Sequence, residues 1–296
     1  MTRKSCSLAL SFCWLVLFVA QVQAQFPWQA IRVAPQDNKQ PEWLPLNDRE
    51  QEWCDNVLRY WDERRAKTRA LEGKIEMWEY DPAVTPTHFA ELKKQEKPNE
   101  LPFTSYSAGV FAFGNPNQGL LEFQQSQVID TFAADGQPKY RDEPKNRNGK
   151  WITNGERLWV FEAQDWRVRE LILPREGEAA FNYLPIPILF GVNSKTLKDK
   201  YWVRPLRAEA GEYCLEFVPK KFNGWYDFQA VRVFIDEKQY LPCRIVMYHS
   251  DWSPTYPHRT NFAFDDRHEN NPWFNAARFS DVKIPPGWRH SVHDLR

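Results

Sequence analysis

KWITNGERLWVFEAQDWRVRELILP, residues 150–174, is the stretch whose reading decides the fold. Leu158 to Phe161 and Trp166 to Leu173 are rich in aromatic and β-branched residues, and Glu162 to Asp165 is a polar connection of hairpin length. The segment therefore reads as two antiparallel strands and a turn. With Phe161 facing Trp166 across that turn, Trp159 faces Val168 and Arg157 faces Glu170. One face of the hairpin then carries Trp159, Phe161, Trp166 and Val168, closed at its far end by an opposite-charge pair. The other face carries Leu158 and Val160 beside Arg167 and Arg169, and reads as mixed and partly wet. Large rings on the inner face of a sheet need a second layer, or a ligand, to cover them.

Upstream, Gln25 to Leu46 is polar and dotted with prolines, an extended arm. Asn47, with Glu50 three residues on, is a capping box that opens a helix running to about Leu71, where Gly73 ends it. Strands follow at Ile75 to Tyr80, Tyr106 to Phe113 and Leu120 to Phe123, separated by charged or polar insertions at 83–101 and 130–149. Downstream, residues 183–190 (YLPIPILF) hold two prolines that forbid a central strand, yet are too apolar for water, so they read as a buried loop or flap. Further strands read at Tyr201 to Arg204, Glu212 to Val218, Ala230 to Ile235, Leu241 to Tyr248 and Asn261 to Phe264, with a last one from Ala277 to Ile284. The pattern is mainly β (α+β): a strongly curved antiparallel sheet or unclosed half-barrel wrapped around the N-terminal helix and an apolar lid.

Residues 1–24 read as a secretory signal peptide, with Arg3 and Lys4, an apolar run, and Val22-Gln23-Ala24 at the cleavage site; about a dozen apolar residues is short for an anchor. The expected organisation is a signal peptide at 1–24, the arm at 25–46 and one domain at 47–296, exported to the periplasm. Without Arg3 and Lys4, 37 of the 39 basic residues face 39 acidic ones, a balance of 37 − 39 = −2 that argues against nucleic acid as partner. Three cysteines survive processing, Cys54, Cys214 and Cys243. Cys214 and Cys243 can pair if their strands are neighbours, and otherwise stay as buried thiols.

Catalytic patterns are missing: there is no G-x-S-x-G, no H-E-x-x-H and no phosphate-binding glycine loop. The six histidines show no metal-ligand spacing, and Asp265, Asp266 and Glu269 beside His268 read as a solvated turn rather than a cation site. Neither a cofactor nor a metal is expected.

The order of these features resembles the periplasmic lipoprotein carriers of the LolA/LolB type. It rests on the helix and the strand Ile75 to Tyr80, on Ala108-Gly109-Val110-Phe111 leading to Asn115-Pro116, and on Asn154-Gly155-Glu156-Arg157-Leu158-Trp159-Val160-Phe161. It continues through Pro187 to Phe190, Cys214 to Pro219 and Phe279 to Gly287. The resemblance is strongest to an exported bacterial LolA-like family of unassigned activity. It implies an unclosed antiparallel barrel with a helical lid over a cavity for acyl chains. The lid-contact position, an arginine in the carriers, is Asn115 here, which cannot form a charge-assisted fork.

Two readings follow. The first is a non-catalytic carrier or sensor of a lipid or lipoprotein acyl chain, with Trp78, Phe111, Phe113, Leu120, Trp159, Phe161, Trp166, Val168 and Ile188 lining the cavity. The second is an interaction module whose own rings fill the core and which binds another envelope protein.

Overall fold

The computed structural model describes residues 36–114, 118–144, 149–173, 193–222 and 228–294. The expected lid at 183–190, including Ile188, the lid-contact position Asn115 and the leader at 1–24 lie outside these residues. Helix α1 (Asp48–Lys67) starts as the capping box dictates: Asn47 Oδ1 accepts from the Glu50 amide at 2.9 Å and Glu50 returns the bond to the Asn47 amide at 3.2 Å. Acidic residues in the first turn and Arg64, Arg65 and Lys67 in the last complement the helix dipole.

The helix ends four residues before the expected Leu71. Thr68 is already extended, its hydroxyl donating to the Arg64 carbonyl at 3.0 Å and to Glu269 at 2.6 Å, and strand β2 (Ala70–Tyr80) begins almost at once. Gly73 is therefore no helix stop but a strand residue where two elements come close. A Cβ there would lie 2.5 Å from the Asp265 carbonyl oxygen and 2.9 Å from Phe111 Cε1.

In order, the remaining elements are β1 (Gln36–Asp37) ahead of α1, then α2 (Pro86–Lys94), β3 (Ser105–Gly114), β4 (Gln118–Phe132), β5 (Pro138–Asp142), β6 (Lys150–Thr153), β7 (Arg157–Glu162) and β8 (Arg167–Ile172). They continue with α3 (Ser194–Lys200), β9 (Tyr201–Leu206), β10 (Glu212–Pro219), β11 (Lys221–Phe222), β12 (Phe228–Asp236), β13 (Pro242–His249), β14 (Arg259–Glu269) and β15 (Arg289–Asp294). Twelve of the strands form one unclosed, curved sheet in the order β15-β8-β7-β6-β4-β3-β2-β14-β13-β12-β10-β9, with β5 added to β4 and β1 paired separately with β11. All its pairings are antiparallel except β15 with β8, which is parallel.

Both polar insertions hold more structure than expected. Pro86 opens α2, which buries Phe89 and Leu92 against Leu101, Tyr80 and Tyr256, a cluster too short to show a periodic stripe. Residues 130–142 extend β4 and return as β5, where Tyr140 stacks on Phe103 at 4.3 Å. The expected last strand at 277–284 is a short 3₁₀ turn at Ala276–Phe279 followed by non-strand chain, and the strand forms later, as β15.

Candidate functional site

The hairpin β7–β8 fixes which residues face which way. Phe161 pairs with Val168, Trp159 with Glu170 and Arg157 with Ile172, a register two residues away from the expected one. The connection keeps its expected four residues but moves one along the chain: a 3₁₀ turn at Ala163–Asp165 and Trp166 in the left-handed region (φ 51°) follow Glu162, which pairs with Arg167. A slip of two leaves the side-chain alternation unchanged, so Trp159, Phe161 and Val168 do share a face. Arg157 and Glu170, expected to oppose each other, meet as diagonal neighbours and form an ion pair. Trp166 leaves that face: it is 52% exposed and meets Trp288 edge-on at 5.8 Å.

The face bearing those rings is not the one under the helix. The core cluster to which Cys54, Val57, Leu58 and Trp61 of α1 belong takes Ile75 and Met77 from β2, Phe111 from β3, Leu121 and Phe123 from β4, and Trp151 from β6. It also takes Leu158 and Val160, the residues expected on a mixed and partly wet face. Arg167 and Arg169 do lie on that side, but both ion-pair with Glu162 at the turn end, which neutralises them and leaves the rest of the face apolar. Phe111 meets Phe264 edge-on at 5.3 Å and Phe113 at 5.6 Å.

Leu120, Trp159, Phe161 and Val168 lie on the opposite face with Ala112 and Ile152, where Phe279 covers them and Phe274, Val282, Ile284 and Trp288 pack alongside. Trp78 is also on this opposite side, facing Tyr106 and Asn261 in register. The candidate lining residues therefore divide: Phe111 and Phe113 under α1, Leu120, Trp159, Phe161 and Val168 under the C-terminal segment, and Trp78 apart from both. One cavity lined by all of them is excluded, because a sheet separates the two groups. What sequence reading missed on the helix face is the run Leu121, Phe123, Trp151, Leu158. The signal was the alternation of Leu158 and Val160 with Trp159 and Phe161, which marks two apolar faces rather than one.

Polar contacts fasten both coverings. Asp62 of α1 accepts the Ser194 amide at 2.9 Å and its hydroxyl at 2.5 Å, Asp55 pairs with Lys198, and Arg64 with Glu269. On the opposite side Glu72 accepts from Arg278 at 2.6 Å and from Asn271 at 2.6 Å. The Arg278 hydrogen bond, before any other cause, holds the Glu72 carboxyl below its ordinary range. Buried Glu170 accepts Arg157 and lies 2.9 Å from His290 Nε2, tying β15 to the sheet.

Cys54, Cys214 and Cys243, the cysteines among the described residues, are unpaired, and β12 stands between the strands of Cys214 and Cys243. Burial, the leading cause in each, pushes the thiols up to about 12 for Cys54, about 11 for Cys214 and about 12 for Cys243. Among the described residues no cluster of three or more His, Cys, Asp or Glu could hold a metal ion. The acidic turn is split between partners, Asp266 pairing with Lys74 and Glu269 with Arg64. Nor, among the described residues, is any helix long and apolar enough to cross a membrane.

No family model matches the chain, and no curated protein does. Solved structures do. An uncharacterized conserved protein from Thermus thermophilus is 8% identical, with 81% of this chain and 99% of that one covered at a TM-score of 0.42. A DUF1329 family protein from Desulfovibrio piger is 9% identical, covering 79% and 98% at a TM-score of 0.38. A LolA superfamily protein from Nitrosomonas europaea is 13% identical, covering 76% and 96% at a TM-score of 0.29. The order and layering of the elements are those expected from the sequence: a leading helix on one face of a large, unclosed, curved antiparallel sheet.

Proposed function

We propose that this chain is an exported, non-catalytic envelope protein that receives an apolar ligand, a lipid or a lipoprotein acyl chain, between α1 and the sheet face carrying Phe111 and Phe113. One observation carries the reading: α1 covers a continuous aromatic and aliphatic face, while its polar contacts with α3 and β14 are one exposed pair, Asp55–Lys198, and two part-buried ones, Asp62–Ser194 and Arg64–Glu269, whose groups water reaches once the helix lifts. A helix so fastened can lift without leaving buried polar groups unpaired. Each methylene that then enters from water contributes about 0.8 kcal/mol, so a single acyl chain repays the opening. Leu120, Trp159, Phe161 and Val168 take no part in such a site; they anchor the C-terminal segment.

The test is organic extraction of the purified chain followed by mass spectrometry, with titration of an environment-sensitive dye. Co-purifying lipid and saturable dye uptake are expected. Phe113→Asp should abolish uptake, and Trp166→Ala, on the far side, should leave it intact. A chain that yields no lipid and takes no dye sinks the carrier reading. The second reading, an interaction module for another envelope protein, is favoured by exposed rings that no core requires, Trp273 at 88% and Trp166 at 52%.

A further inference from the structure

The sheet face opposite α1 has two halves. From β3 to β8 it carries an apolar cluster covered by residues 274–288, its charged groups held in the pairs Glu122–Lys150 and Arg157–Glu170. From β9 to β3 its character changes to arginines laid on rings: Arg204 over Trp43 at 4.9 Å, Arg232 over Tyr248 at 4.7 Å, Arg244 over Phe234 at 4.3 Å and Arg259 over Tyr80 at 4.1 Å. Three of these cations have carboxylates: Arg204 and Arg232 share Glu216, and Arg244 holds Glu212. Arg259 has neither an ion pair nor a hydrogen bond among the described residues. Two residues along the same strand, the Asn261 side chain makes no hydrogen bond there either. Register places Tyr80 opposite Arg259, Trp78 opposite Asn261, and Tyr106 beside Trp78, with the Trp78 and Tyr106 rings 5.6 Å apart. The nearby carboxylate of Glu76 is already engaged, accepting from the Tyr106 hydroxyl at 2.5 Å. All five side chains, Arg259, Asn261, Trp78, Tyr80 and Tyr106, are half-buried.

We infer that this five-residue patch is a binding site for an acidic glycan. Each uncommitted group on it asks for a different part of such a ligand. A guanidinium held over a ring and lacking a carboxylate is preorganised for a bidentate carboxylate. The Asn261 amide, its Oδ1 buried, has its Nδ2 free to donate to a hydroxyl. Indole and phenol faces accept the apolar C–H face of a sugar ring at little entropic cost. The patch spans about two strand spacings, roughly 10 Å, on the sheet face. An extended peptide would gain its main-chain hydrogen bonds at a strand edge instead. The proposal is independent of the acyl-chain reading, since the sheet separates the two sites.

The test is isothermal titration of the full chain with hexagalacturonate, maltohexaose and hexaglutamate. Saturable binding of hexagalacturonate is expected, with maltohexaose at least tenfold weaker and hexaglutamate silent. Arg259→Gln should weaken hexagalacturonate at least tenfold at unchanged Tm, and Asn261→Asp should do the same by repulsion. Trp78→Ala should weaken both glycans. Absence of hexagalacturonate binding, binding that Arg259→Gln leaves unchanged, or equal binding of hexaglutamate would each overturn the inference.

Discussion

The two faces of the large sheet are covered in different ways. Under α1, one contiguous cluster runs from Cys54 and Trp61 across β2, β3, β4, β6 and β7 to β10, β12 and β13, and a helix formed next to β2 in the chain closes it. On the other side a smaller cluster is closed by residues 274–288, which return to it from the far end of the chain without strand pairing of their own. The first face is apolar except for the Glu162–Arg167–Arg169 ion pairs at the turn end of β7–β8, so it can serve as core or, once α1 lifts, as a ligand surface. The second is apolar only where chain covers it. Where it is uncovered, it carries ring-stacked arginines instead, because an exposed apolar sheet face invites association.

The contrast can be tested by deleting one ring from each side. Phe111→Ala should cost about 3–5 kcal/mol in denaturant unfolding, since the residue is 1% exposed and packed between rings. Phe279→Ala, at 0% exposure, should cost about 3 kcal/mol or more and free the C-terminal segment. The two losses should add within about 0.5 kcal/mol, because the rings belong to separate clusters on opposite sides of the sheet. Strong coupling would mean that the faces are not independent.

Smaller effects sharpen the same picture. Gly109→Ala should cost about 1–3 kcal/mol by overpacking. Its Cβ would sit 2.0 Å from the Glu122 carbonyl oxygen and 2.7 Å from Phe123 Cα, backbone atoms that cannot swing aside. It lies where β4 bulges against β3, so chemical shifts should move along both strands. Asn47→Ala should remove the capping box and cost about 1 kcal/mol, read as faster exchange of the first-turn amides of α1.

The C-terminal covering should also respond to acid. The Glu72 carboxyl is depressed by Arg278, so its contribution is complete above the ordinary carboxylate value of about 4.3 and is lost as pH falls through its lower, folded value. Limited proteolysis at falling pH should therefore cut 274–288 before the core unfolds, and Glu72→Gln should make that segment's protection independent of pH over the same window. The three thiols, all shifted upward by burial, should resist alkylation at neutral pH until the chain is denatured.

Local chemistry in the sequence was enough for the start of α1, the position of most strands and the shared face of Trp159, Phe161 and Val168. Capping boxes and alternation act over a few residues, so they can be read without knowing what lies across from them. α2 and β5 escaped because a nine-residue helix and a five-residue strand offer too few repeats to show a period. Which face of the hairpin lies under the helix was not in the pattern either: Leu158 and Val160 looked wet beside two arginines, until Glu162 met both cations. Pairing, covering and neutralisation bring together groups far apart in the chain, Arg278 with Glu72, Arg64 with Glu269, Phe279 with Gly114. Only the closed tertiary structure decides those contacts, because each exists by virtue of a partner that no local stretch contains.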